Sequence, residues 1–101
     1  PAARYLLLHA GGQPAGRLVV DAGAEALRVV DISVLPEARG RGLGSAVLRA
    51  LQGFAAARGV ALTLAVHCSN PGAARLYRKL GFAVTSSDGI AEQMRWAAPP
   101  G

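Results

Sequence analysis

The sequence predicts an α+β domain: a mixed, mostly antiparallel sheet with a central parallel strand pair and two packed helices. Three features carry that expectation. Apolar, β-prone runs bounded by glycine, proline and aspartate turns fill the first third of the chain. A long run with helical spacing then lies between two strand runs, and a helical crossover between strands makes them parallel. A second, shorter helix with its own start and stop signals precedes two final strands.

In order, Arg4 to Ala10 reads as a strand, Gly11-Gly12-Gln13-Pro14 as a turn, and Gly16 to Val20 as the hairpin partner. Asp21-Ala22-Gly23-Ala24 turns the chain into a long strand from Leu27 to Val34, rich in β-branched residues. Pro36 ends it. Leu43, Val47, Leu48, Leu51 and Phe54 recur at helical spacing in an amphipathic run expected to open at Ser45 and stop at Gly59. Val60 to Val66 returns as a strand parallel to the earlier one. Asn70 suits an N-cap, Pro71 the first helical position, and Gly81 the end of that short helix. Phe82 to Thr85 and Gln93 to Ala97 complete the sheet. Residues 1–97 thus read as one domain and 98–101 as a flexible tail.

Composition narrows the class. Half of the residues are apolar, and a domain of this size buries about two-thirds of its unfolded surface. No apolar run approaches the roughly 18 residues that span a bilayer, so no membrane partner is expected. Cys68 is the only cysteine, which excludes an internal disulfide and fits a reducing, cytoplasmic compartment. The net charge of +5 would suit nucleic acid, but the arginines form no run. Two Tyr, two Phe and one Trp offer little for base stacking, so no nucleic-acid partner is expected.

The most informative stretch runs from Ile32 to Ser45, I-S-V-L-P-E-A-R-G-R-G-L-G-S. Strand, glycine-rich turn and helix start, in that order, make a phosphate cradle. Glycines let the backbone approach an anion, successive N–H groups point inward, and the helix N-terminus adds about half a positive charge. Arg39 and Arg41 supply charge-assisted hydrogen bonds to phosphate oxygens. A P-loop needs Gly-Lys-Ser/Thr, yet Lys79 is the only lysine in the chain. A dinucleotide fold needs an acid about 20 residues past its glycines, and no Asp or Glu occurs from Ala38 to Ser87. A ligand with several phosphates and no need of a ribose-holding carboxylate fits better. Coenzyme A is one.

Arg39-Gly40-Arg41-Gly42-Leu43-Gly44 resembles the R/Q-x-x-G-x-G/A signature of the GNAT N-acetyltransferase superfamily. A second block strengthens the resemblance: Leu62 to Val66, Ser69-Asn70, then Ala74-Arg75-Leu76-Tyr77-Arg78-Lys79-Leu80-Gly81-Phe82, similar to the family's A-x-x-L-Y-x-K-x-G-F. The likeness extends from Arg4 to Trp96. It implies a GNAT-like acyltransferase fold, N-terminally shortened, because the family usually opens with a strand and one or two helices. Pro1 cannot be an initiator residue, so the chain is expected to be a fragment of a longer domain.

By the same resemblance, the chain transfers acetyl from acetyl-CoA, its co-substrate, to a primary amine of a small molecule or peptide, by direct attack in a ternary complex. The alternative is a non-catalytic CoA-binding or interaction module with an incomplete acceptor site. The cofactor-binding residues carried over are Ile32, Ser33, Val34, Arg39, Gly40, Arg41, Gly42, Leu43, Gly44, Ser45 and Asn70. The backbone of Ile32, Ser33 and Val34 would pair with the pantetheine arm, and the amide of Val34 would polarise the thioester carbonyl. Asn70 would bind the same arm, or act only as a helix cap. Tyr77 stands where the family places a hydroxyl near the sulfur, and a phenol is close in acidity to a departing thiol. Its plainer role is a core tyrosine.

No base is assigned. Some members carry glutamate where Arg28 stands; Asp31 follows on the opposite face from Ile32 and Val34. His67 and Cys68 read as structural, with no metal expected. Arg75, Arg78 and Lys79 read as a solvated helix face, though they could reach the 3′-phosphate of coenzyme A. Trp96 reads as edge packing.

Tyr5, Leu6, Leu7 and Leu8 put apolar side chains on both faces of the first strand. Without the usual leading elements one sheet face lacks cover, and each exposed leucine forgoes about 1.5–3 kcal/mol of burial. The expected result is a homodimer or larger assembly, or marginal stability alone. Sedimentation at micromolar concentration distinguishes these from a cooperative monomer, which would overturn the expectation.

Overall fold

The fold is taken from a computed structural model that describes residues 3–40 and 42–99. Its elements are β1 (Ala3–Ala10), β2 (Gln13–Ala22), β3 (Ala26–Val34), a 3-10 turn (Pro36–Ala38), α1 (Leu43–Arg58), β4 (Ala61–His67), α2 (Pro71–Lys79), β5 (Ala83–Ser87) and β6 (Ala91–Trp96). The six strands form one sheet in the order β1-β2-β3-β4-β6-β5. β3 and β4 are parallel and every other neighbouring pair is antiparallel. The mixed sheet with a central parallel pair and two helices is the fold class that the sequence predicts.

Element ends differ in instructive ways. The first turn is only Gly11-Gly12, both with positive φ (59° and 79°), so β2 starts at Gln13 rather than Gly16. Two such residues match the twist of a tight hairpin. Pro14 is nevertheless inside the strand, opposite His9, next to a bulge that leaves Ala15 as the extra residue. The last hairpin is also tighter than expected, with β5 reaching Ser87 and β6 starting at Ala91. Asp88 Oδ1 accepts the amides of Ile90 and Ala91, both at 2.8 Å, and closes that turn. The Ala91 amide, then that of Ile90, holds the Asp88 carboxyl below its usual pKa. Of the expected tail, Pro100 and Gly101 lie outside the described residues.

A bulge in β3 decides which side chains meet the core. Val20 pairs with Val29 but Val19 pairs with Asp31, so Val30 is the extra residue and is exposed. Strict alternation would separate Val29 from Ile32 and Val34. The bulge resets the alternation. Leu27, Val29, Ile32 and Val34 share the inner face, and Arg28, Asp31 and Ser33 share the outer one.

Both helices cover the inner face. Leu48 and Ala55 of α1 and Ala74 of α2 join Leu18, Val20, Leu27, Val29, Leu62, Leu64, Val66, Phe82 and Met94 in one core cluster. Gln52 Nε2 donates to Leu80 O at 2.8 Å and ties α1 to the end of α2. On β1, Leu6 and Leu8 turn toward α1 and line a groove with Val47, Leu51 and Phe54. Tyr5 and Leu7 point outward and are 79% and 78% exposed. Among the described residues no helix is long and apolar enough to cross a membrane.

The parallel seam is short. Ala26, Leu27 and Arg28 pair with Ala61, Leu62 and Thr63, and the β3–β4 ladder ends there. β3 continues against β2 as far as Val34, and β4 continues against β6 as far as His67. The β4-facing edge of β3 is therefore unpaired from Val29 to Val34.

Candidate functional site

The glycine-rich turn forms a cleft at the start of α1. Pro36 starts a single 3-10 turn, and Gly40 and Gly42 both have positive φ (79° and 73°). The left-handed conformation at Gly42 brings the chain straight into α1 at Leu43, two residues ahead of the expected start. The first helical bond runs from the Ala46 amide to Gly42 O at 2.9 Å. The amides of Leu43, Gly44 and Ser45 therefore lack intrahelical acceptors. No side chain caps this end and no acid stands in the first turn. Val34, Ala38, Arg39, Gly40, Gly42 and Leu76 wall a cleft of about 220 Å³ over these amides.

Arg39 is oriented rather than loose. Its Nε donates to Val34 O at 3.0 Å, which leaves the two terminal nitrogens for an anion. Arg41 lies outside the described residues.

The unpaired edge of β3 leads out of the cleft. The Leu35 amide reaches across to Ala15 O of β2 at 2.7 Å. Strand alternation therefore directs the amides of Ile32 and Val34 the other way, to the side that β4 has left. Ile32 is half-buried against the core. Ser33 faces outward, its Oγ donating to Asp31 Oδ2 at 3.4 Å.

Asn70 and Tyr77 flank this arrangement without lining the cleft. Asn70 caps α2, its Oδ1 accepting the Ala73 amide at 3.2 Å. That bond leaves its NH₂ group for another acceptor. Asn70 lines a separate hollow of about 250 Å³ with His67, Cys68, Arg75, Arg78 and Glu92. His67 Nδ1 accepts the Ser69 amide at 3.2 Å and lies 2.7 Å from Ser69 Oγ, which fixes the strand-to-helix turn. Arg78 pairs with Glu92 at 3.4 Å. Among the described residues no group of three His, Cys, Asp or Glu side chains could hold a metal ion.

Tyr77 is half-buried, edge-on to Phe82 with ring centroids 5.9 Å apart. Burial raises the pKa of its phenol, so the hydroxyl keeps its proton throughout the neutral range. The residue before it, Leu76, does line the cleft and escaped the sequence reading. The leucine of A-x-x-L-Y was its signal, since it must lie one helical step from the tyrosine.

The sequence matches the family model described as Acetyltransferase (GNAT) family over residues 1–82. No curated protein is similar to the chain at the level of sequence. Among solved structures, the PaiA N-acetyltransferase of Thermoplasma acidophilum, in complex with coenzyme A, superimposes with a TM-score of 0.83 at 22% identity. The match covers 95% of this chain and 61% of that one, so the chain spans less than two-thirds of that relative. Nourseothricin acetyltransferase gives a TM-score of 0.81 at 32% identity, covering 98% of this chain and 67% of that one. The ribosomal-protein-S18-alanine N-acetyltransferase of Escherichia coli gives 0.77 at 27% identity, covering 92% and 66%. With the family model matched over residues 1–82 and the central parallel pair and two helices of the fold in place, the chain belongs to the GNAT acetyltransferase family.

Proposed function

We propose that the protein is an acetyl-CoA-dependent N-acetyltransferase that acts on a primary amine by direct attack in a ternary complex. The observation that carries this reading is the continuity of the cleft, whose helix-start amides adjoin the unpaired edge of β3. A pyrophosphate held by the amides of Leu43, Gly44 and Ser45, with Arg39 beside it, directs the pantetheine arm along that edge. Ile32 and Val34 then serve as strand partners for the arm. The Val34 amide donates to the thioester carbonyl as negative charge develops there. Asn70 NH₂ is the further donor to the arm.

In the transfer, the amine nitrogen forms a bond to the thioester carbon and the carbon–sulfur bond breaks. The thiolate takes the Tyr77 hydroxyl proton, and the proton lost by the amine leaves through solvent. The relative in complex with coenzyme A supports the choice of donor. An exposed free thiol at Cys68 suits a cytoplasmic location.

Calorimetry with acetyl-CoA, followed by mass spectrometry on a panel of small and peptide amines, tests this reading. Saturable binding with amine-dependent release of free thiol is expected. Absence of binding refutes it. Binding with no transfer to any amine leaves the CoA-binding module instead.

A further inference from the structure

We propose that the outer face of the sheet beside the cleft holds a carboxylate-binding subsite, and that the acceptor is an α-amino acid or an amine of that form. The inference rests on the acetyltransferase reading for its consequence, but the subsite stands on its own geometry. A hollow of about 340 Å³ is lined by Gly16, Arg17, Ser33, Val34 and Arg39, among others. It shares Val34 and Arg39 with the phosphate cleft, so an acceptor seated there lies across β3 from the donor.

Two guanidinium groups border this hollow, and each is held at Nε. Arg17 Nε donates to Asp31 Oδ2 at 2.8 Å, and Arg39 Nε donates to Val34 O at 3.0 Å. Their terminal nitrogens have no other acceptor among the described residues. A guanidinium steadied at Nε presents a planar end that matches a carboxylate. Gly16 lines the hollow where β2 passes close to β3, and a Cβ there would collide with the Ser33 carbonyl, so only bare backbone fits.

Asp31 does not line the hollow but adjoins it through its pair with Arg17, and supplies the opposite charge at its edge. Its side chain is 37% exposed and Arg17 is 65% exposed, so both remain open to a ligand. A positive and a negative group in direct contact match a molecule whose ammonium and carboxylate are borne by the same carbon. Plain amines and amides lack the second charge, and the charge-assisted hydrogen bonds they leave unmade set the discrimination.

The subsite is tested without turnover. The full chain, with and without saturating CoA, is titrated at fixed ionic strength with N-acetylglycine and with N-acetylglycinamide. Arginine Nε–H signals are followed by NMR. The acid is expected to bind roughly tenfold tighter than the amide, moving the Arg17 signal in both states and the Arg39 signal only without CoA, whose pyrophosphate otherwise engages it. Arg17→Gln removes that preference and Arg17→Lys restores part of it, with CoA affinity unchanged in both. Equal binding of acid and amide overturns the subsite. So does a preference that survives Arg17→Gln, or equal displacement by inorganic phosphate. Failure of CoA to bind the wild-type chain strikes at the acetyltransferase reading alone, because the CoA-free titration still tests the subsite.

Discussion

Gly42→Asp lowers acetyl-CoA affinity by roughly a hundredfold or more while leaving the chain folded. Gly42 has φ 73°, in the left-handed region, where a side chain costs about 1–2 kcal/mol. Its added Cβ would meet nothing within 4 Å, so sterics do not unfold the turn. Aspartate sets a carboxylate beside the same helix-start amides that the pyrophosphate would meet. The variant therefore carries its own competing anion and repels the incoming one. Each charge-assisted bond lost is worth about 1.5–3 kcal/mol, and two of them exceed a hundredfold. Calorimetry on wild type, Gly42→Ala and Gly42→Asp separates the effects: alanine reports backbone strain, and aspartate adds the charge. Equal affinity in wild type and Gly42→Asp would remove the site from this turn.

Tyr77→Phe lowers the rate of transfer by about 10²- to 10⁴-fold, with little change in CoA affinity, because the hydroxyl acts only as sulfur departs. The pH profile supplies the sign. Burial raises the Tyr77 pKa, so the proton donor is present below that raised value and is lost as pH climbs through it. The wild-type rate therefore falls on an alkaline limb above the ordinary tyrosine range, and Tyr77→Phe lacks that limb. Linkage runs the same way: the folded chain holds this proton more firmly than the unfolded chain, so stability also declines as pH rises through the folded value. Stopped-flow thiol release across alkaline pH reads the limb, and calorimetry reads the affinity. A Tyr77→Phe profile that overlays wild type would return the residue to simple packing against Phe82.

Most of the architecture was legible because local signals and tertiary demands agree. Leu43 to Phe54 carries a helical stripe, Asn70-Pro71 caps the second helix, and Pro36 ends a β-branched run. Disagreement arose where a backbone irregularity intervened. Pro14 reads as a turn residue, yet the bulge at Ala15 lets it lie in a strand without breaking the ladder. Val30 reads like its apolar neighbours, yet it is the extra residue that turns Asp31 and Ser33 outward together. Register shifts leave no compositional trace, since one residue more or less preserves every local preference. The same limit hid the outer hollow: Arg17 and Ser33 stand 16 positions apart, and only the β2–β3 pairing makes them neighbours. Leu76 was hidden for another reason, because an apolar residue on a helix reads equally as core.

The three-pair junction between β3 and β4 divides the sheet into two leaves, β1-β2-β3 and β4-β6-β5. Each leaf is stitched internally by long antiparallel ladders, so neither depends on the other for its own register. What binds them into one volume is α1, the spine that lies against both β3 and β4. The first turn of that spine also lines the cleft at the glycine-rich turn. The shape of that cleft and the cohesion of the two leaves are therefore properties of one helix, and a change that loosens its opening turn slackens both at once.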